Sequence, residues 1–157
     1  MDLQSTLEQT FATNFQVYFR THSAHVNIIG RNFYSDHKLL QKIYEGLQGD
    51  VDTLGELLRT IKAFFPRDLT QVISDSATGD RTVEGSSEEL LEGVYDDIEV
   101  LIDQYTELYA AAEAEDHIEI SNYAQDQIRV MRKTCWMLRS ILENDHGPVA
   151  VNLYDND

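Results

Sequence analysis

Apolar residues that recur every three or four positions constrain a chain strongly: such a stretch must be a helix with one side turned to a core. The clearest example here runs through Leu90, Leu91, Val94, Ile98, Leu101, Ile102, Tyr105, Leu108 and Tyr109. Three other stretches share the spacing. Leu3, Leu7, Phe11, Val17, Tyr18, Ile28 and Ile29 predict a first helix over residues 2–29, broken by Gly30. Leu40, Ile43, Tyr44, Leu47, Val51, Leu54, Leu58 and Ile61 predict a second, from about Phe33 to Lys62, halted by Pro66. Gly46, Gly49 and Gly55 weaken its intrinsic propensity, which predicts close packing against a neighbour. The Leu90 stripe is opened by a capping box, Ser86-Ser-Glu-Glu89, and reaches about Ala114. After an acidic break at Glu115-Asp116, a fourth helix covers about 117–143, with Ile120, Tyr123, Ile128, Met131, Cys135, Leu138 and Leu142 facing inward. Val130, Trp136 and Met137 fall off that stripe, so they extend the core or meet another subunit.

No stretch alternates as a strand does. Between the second and third long helices lies a polar, turn-rich connection, residues 66–86, with one short helical piece at Leu69 to Ile73. A connection of that length must cross the bundle or pack on a partner. The fold class is therefore all-α: a ferritin-like four-helix bundle whose long crossover holds a short helix, a topology that hosts metals between helices. At 157 residues one domain suffices, the bundle taking 1–145 and an acidic tail 146–157. No apolar run is long enough to span a membrane. Residues Met1 to Arg20 do not read as a signal peptide. The lone Cys135 has no internal disulfide partner and sits on the apolar stripe, as a core residue. A cytoplasmic location is expected.

Metal-ligand side chains gather around the first turn. His25 and His37 lie six residues before and after Arg31, so an antiparallel hairpin sets them at one height on adjacent helices, where they could hold one ion. Asp52 and Glu56 are neighbours one turn apart further along the second helix. Imidazole and carboxylate together suit Fe(II). Yet His37 and Asp52 are fifteen residues apart on one helix, roughly 22 Å at the standard rise, and a metal–ligand bond is about 2 Å. If all four side chains share a site, a second chain must bring its carboxylates to the first chain's histidines, and an antiparallel two-fold dimer makes two equal sites. Residue types alone leave a plainer reading open, of ordinary helix histidines and a solvated acidic face.

The pattern His25-x-Asn27-x-x-Gly30-x-x-Phe33-x-x-x-His37, then Tyr44, then Asp52-x-x-x-Glu56, resembles the signature of the Dps-like miniferritins. Lys133-Thr-Cys-Trp136-Met-Leu-Arg139 is similar to that family's last-helix motif, and the likeness covers about residues 3–143. It implies a hollow dodecameric shell with ferroxidase centres at two-fold interfaces, His25 and His37 coming from one subunit and Asp52 and Glu56 from the next. It also implies iron as the metal, hydrogen peroxide or oxygen as oxidant, and Fe(III) mineral stored inside. Two departures qualify this. Gln41 stands where the family commonly has an acidic ligand, which points to one firm iron site per centre and a weak second. Val26 stands where a Trp often follows the first histidine. His22, three residues before His25, is either a candidate for supporting the ligands from behind or a surface histidine.

The family's three-fold pores are lined by acids near the start of the last helix, which makes Glu115, Asp116 and Glu119, with Glu113, pore candidates. Solvated helix-end acids would look the same, and Glu115 and Asp116 also favour the helix N-terminus through its dipole. Glu143-Asn-Asp-His146 fits a Glu-x-x-His pattern, but bundle sites use two such motifs. The net charge is −16, and no Lys or Arg falls between Thr82 and Ile128, before Arg20 or after Arg139. Such a surface attracts cations and repels nucleic acid and anionic membrane, so direct DNA binding is not expected. Arg129, Arg132, Lys133 and Arg139, clustered on the last helix, read as intersubunit salt-bridge partners. The reading is a ferroxidase and iron store. Its alternatives are a catalytically weak metal-sequestering shell of the same fold, or a nucleoid-associated DNA protector.

Overall fold

The computed structural model describes residues 1–143; the expected tail 146–157, Gly147-Pro148 and His146 lie outside them. Five helices follow one another: α1 (Leu3–Asn27), α2 (Phe33–Thr60), α3 (Leu69–Asp75), α4 (Ser87–Ala114) and α5 (Ile118–Leu142). The four long ones form the expected bundle, and the short α3 sits in the crossover between α2 and α4. No strand occurs among the described residues, and none of their helices is long and apolar enough to cross a membrane.

Most of the periodic residues meet in one core; Ile29, beyond the end of α1, is exposed. Leu7, Phe11, Leu40, Leu54, Leu58, Ile98, Leu101, Tyr105, Leu108 and Ile120 are all buried. Helix α1 packs on α2, α4 and α3, and α4 packs on α5. Being covered on several sides, α1 also buries Thr6, Thr10, Thr13, Asn14, Gln16, Arg20, Thr21 and His25. Three of these polar groups, Thr13, Gln16 and Arg20, hold the crossover. Thr13 accepts a bond from the Ala77 amide (2.9 Å), and Gln16 accepts one from the Thr78 hydroxyl (2.9 Å). Arg20, 3% exposed, donates twice to Asp97 (3.0 and 3.1 Å) and once to the Gly79 carbonyl (2.7 Å). Arg81 donates to the same Asp97 (2.8 Å) and to the Gly93 carbonyl. The connection that composition marks as loop is thus clamped to the bundle between Ala77 and Arg81.

Two boundaries have causes that differ from expectation. Helix α2 stops at Thr60, before Pro66 can act, because Lys62 turns left-handed (φ 69°). Its amide bonds to Arg59 O (3.1 Å) and the Ala63 amide reaches back to Leu58 O (3.0 Å), a Schellman cap. Helix α4 ends the same way at Asp116 (φ 60°), with Asp116 N–H to Glu113 O and His117 N–H to Ala112 O. In the capping box, Ser86 Oγ accepts the Glu89 amide (3.1 Å), but the Glu89 carboxylate accepts from the Ser86 hydroxyl (3.2 Å).

Of the three α2 glycines, Gly55 alone packs tightly in the chain: a Cβ there would run into the Phe65 ring. Nothing lies within 4 Å of a Cβ built at Gly46 or Gly49. Helices α2 and α5 do not pack closely, and a groove of about 240 Å³ separates them, lined by Gly46, Leu47, Asp50, Val130, Met131 and Met137 among others. Val130 and Trp136 are half or more exposed (51% and 54%), so neither extends the core. Arg129 and Arg139 pair along their own helix, with Asp126 and Glu143.

Candidate metal centre

The hairpin between α1 and α2 reverses through Gly30 (φ 122°) and returns His37 to the level of His25. Their rings stack, with centroids 3.8 Å apart and planes 14° from parallel. Each Nδ1 lies 2.7 Å from the other residue's main-chain carbonyl. A carbonyl oxygen only accepts, so both Nδ1 atoms carry a proton, and in the neutral imidazoles the lone pair is left on Nε2. A metal-binding histidine is ordinarily oriented in this way, by a donor bond from its second nitrogen that fixes the ring and raises the basicity of the first. Here the two residues supply that bond to each other. Phe33 stacks on the outer side of His37 at 4.9 Å.

Asp52 and Glu56 are exposed on α2. That helix is unbroken from Phe33 to Thr60, so the separation from His37 stays at roughly 22 Å. Among the described residues no three His, Cys, Asp or Glu side chains of the chain converge on one point. The structure brings the two histidines together and leaves the two carboxylates apart from them. Gln41, one turn beyond His37, donates its amide to Glu45 (2.8 Å).

His22 is not an isolated surface residue. Its ring lies flat on Tyr44 (4.0 Å, 6°), and Tyr44 meets the His25 ring nearly edge-on at 4.9 Å. On its other side His22 Nδ1 is 3.0 Å from the Tyr18 hydroxyl. Tyr18 reads from sequence as a core position, and it is only half-buried. The four-residue step from Tyr18 to His22 is the signal that would have found the pair.

The acids at the α4–α5 turn have local duties. Glu115 accepts the Leu3 amide (2.9 Å) at the start of α1, and Glu113 accepts the Ser121 hydroxyl (2.6 Å). Glu119 pairs with His117 (2.9 Å), a bond that holds its carboxyl below the usual range. Asp116 serves as the left-handed cap.

A four-helix bundle with one long crossover is ferritin-like architecture, and residues 4–146 match the ferritin-like domain model. The chain belongs to the ferritin-like domain family. Within it, a DNA protection during starvation protein of Helicobacter pylori is 27% identical over 127 residues, 80% of this chain and 88% of that one. A Dps protein from Vibrio cholerae O1, described as a member of a broad superfamily of ferritin-like diiron-carboxylate proteins, superposes with a TM-score of 0.85 at 25% identity, covering 90% and 89% of the two chains. A Dps protein from Bacillus brevis gives 0.85 at 23% identity, covering 90% and 95%. These likenesses make it a Dps-like miniferritin.

Proposed function

We propose that this chain is a subunit of an iron-oxidising, iron-storing shell in the cytoplasm, with its oxidation centres at two-fold contacts. His25 and His37 of one subunit would bind Fe(II) together with Asp52 of the partner subunit and Glu56 of the partner subunit. The observation that carries this reading is the reciprocal histidine pair. Both Nε2 atoms are prepared for a metal, and among the described residues no carboxylate of the same chain completes the set. Iron here is substrate. Two imidazoles and two carboxylates give a mixed nitrogen and oxygen set suited to Fe(II), and the carboxylates favour the higher charge of Fe(III).

The net charge of −16 supports the supply of cations to such a shell. The relative from Helicobacter pylori bears a name for DNA protection. In this chain we assign protection to the removal of Fe(II) and peroxide, because an acidic exterior opposes binding to phosphate backbones. A mobility shift at low salt checks that assignment, with no retardation expected.

The decisive measurement is an anaerobic Fe(II) titration by calorimetry, followed by oxidation with hydrogen peroxide or with oxygen. One tight Fe(II) per centre is expected, because Gln41 offers a neutral amide already bonded to Glu45. Two tight ions would refute the single-iron centre. Absence of oxidation above the buffer rate, with iron still bound, would leave a shell that only sequesters metal.

A further inference from the structure

Reduction of hydrogen peroxide to water takes two electrons, and one Fe(II) supplies one. On the iron-oxidising reading, on which this inference rests, a centre with a single tight iron leaves peroxide one electron short. The ordinary product of that shortfall is hydroxyl radical. Val26, exposed directly after His25, has no oxidisable ring to intercept it.

The opposite side of His25 does. Tyr44 abuts His25 (4.9 Å between centroids), His22 lies flat on Tyr44 (4.0 Å), and Tyr18 reaches His22 through a 3.0 Å bond from its hydroxyl to Nδ1. Tyr18 and Tyr44 are also within 6.2 Å of each other. The Gln48 amide makes a long contact (3.5 Å) with the Tyr18 oxygen. An amide N–H can only donate, so the phenol oxygen is the acceptor there and its own proton is left to point at His22. The result is a phenol with a base on its proton, joined by ring contacts to a metal-binding histidine. A second tyrosine pair, Tyr105 and Tyr123, lies in the core (6.0 Å), but no ring of it contacts either histidine of the centre.

We infer that Tyr18 is the second one-electron donor to peroxide at this centre, its electron passing by way of Tyr44 and His25 while its proton passes to His22. The step balances. Fe(II), hydrogen peroxide and the Tyr18 phenol give Fe(III), hydroxide, water and the Tyr18 phenoxyl radical. The O–O bond breaks on taking one electron from iron and one from Tyr18. The phenol O–H bond breaks, and its proton, held first on His22 Nδ1, ends in the water. Excess Fe(II) then returns the radical to tyrosine, so each peroxide still consumes two Fe(II) in the long run.

The test uses the assembled protein, loaded anaerobically with one Fe(II) per centre, mixed with excess hydrogen peroxide and frozen for electron paramagnetic resonance. Fe(III) absorbance and a hydroxyl-radical spin trap are followed in parallel. The wild type is expected to show a phenoxyl signal that narrows with ring-deuterated tyrosine, and little spin adduct. Tyr18→Phe, which keeps the ring packing, loses the signal and gains adduct. Tyr95→Phe, on α4 away from the stack, keeps the signal. Formation of Fe(III) in the wild type without a radical, or a radical that survives in Tyr18→Phe, overturns the inference and leaves the ferroxidase reading standing. If the wild type forms no Fe(III) above the buffer rate, both fall.

Discussion

A single carboxyl in the α2–α5 groove shows how strongly residue-level context acts. Asp50 accepts the Tyr123 hydroxyl at 2.8 Å, yet burial outweighs that bond and pushes its pKa from 3.8 up to about 6. The folded protein therefore keeps this proton up to about pH 6, whereas the unfolded chain releases it near pH 4. Stability falls as pH rises through that window and is level above it. Asp50→Asn keeps an acceptor for Tyr123 and removes the charge. It is expected to stabilise the protein at pH 7 by up to about 3 kcal/mol, with the difference from wild type vanishing below about pH 4, as read from denaturant midpoints across the range. At the centre, His25→Ala and His37→Ala should each abolish tight Fe(II) binding in the calorimetric titration, since each removes one of the two imidazoles while the main-chain carbonyl that orients the other ring stays in place. The residue types of the proposed centre and their spacing were legible in the sequence. The reciprocal carbonyl bonds were not, because a main-chain acceptor has no residue type. Nor was Tyr18, whose apolar ring matched the core pattern while its hydroxyl did the bonding.

Among the elements, the long helices were legible because burying one face requires a period that the residues display; the short α3 was found from a similar period, although it buries Val72 and leaves Leu69 and Ile73 exposed. Their ends were less so. Pro66 is a visible stop, but α2 ends earlier at Lys62, and α4 ends at Asp116, both left-handed positions filled by residues that incur a steric penalty there. Lys62→Gly and Asp116→Gly are each expected to raise stability by about 0.5–1 kcal/mol, measured as an upward shift of the unfolding midpoint. The crossover is the opposite case. Its polar composition conceals a buried anchor, and Asp97→Ala would leave Arg20 charged and enclosed, a loss of about 3–5 kcal/mol. Thermal melts of the variant, with protease cleavage between α3 and α4 as a local probe, check this.

For the whole molecule, the helix rise alone makes the division between histidines and carboxylates readable from the residue numbers, since an unbroken α2 cannot fold its own Asp52 back to His37. What sequence could not supply is which faces stay bare: Gly46, Gly49, Val130 and Trp136 are open in the isolated chain. The proposed split centre makes a distinctive mixing prediction. Subunits lacking both histidines and subunits lacking both carboxylates should each be inactive alone. Refolded together in equal amounts, they should recover roughly a quarter of the wild-type oxidation centres, because half of random two-fold pairs are mixed and each mixed pair restores one site of two. Recovery of none would place all the ligands within one subunit or in a different pairing.

If the proposed centre is shared between subunits, the roughly 22 Å between His37 and Asp52 would also set the order of events in the life of a subunit. A newly released chain would hold half of the ligands and is expected not to start iron oxidation by itself. Reactivity is then expected only on encounter with a second copy, so at high dilution the initial rate should rise with the square of subunit concentration and become linear once pairing saturates. Separation along one helix would thereby act as a timer, keeping Fe(II) and peroxide from reacting on a protein that has not yet built a place to keep the product.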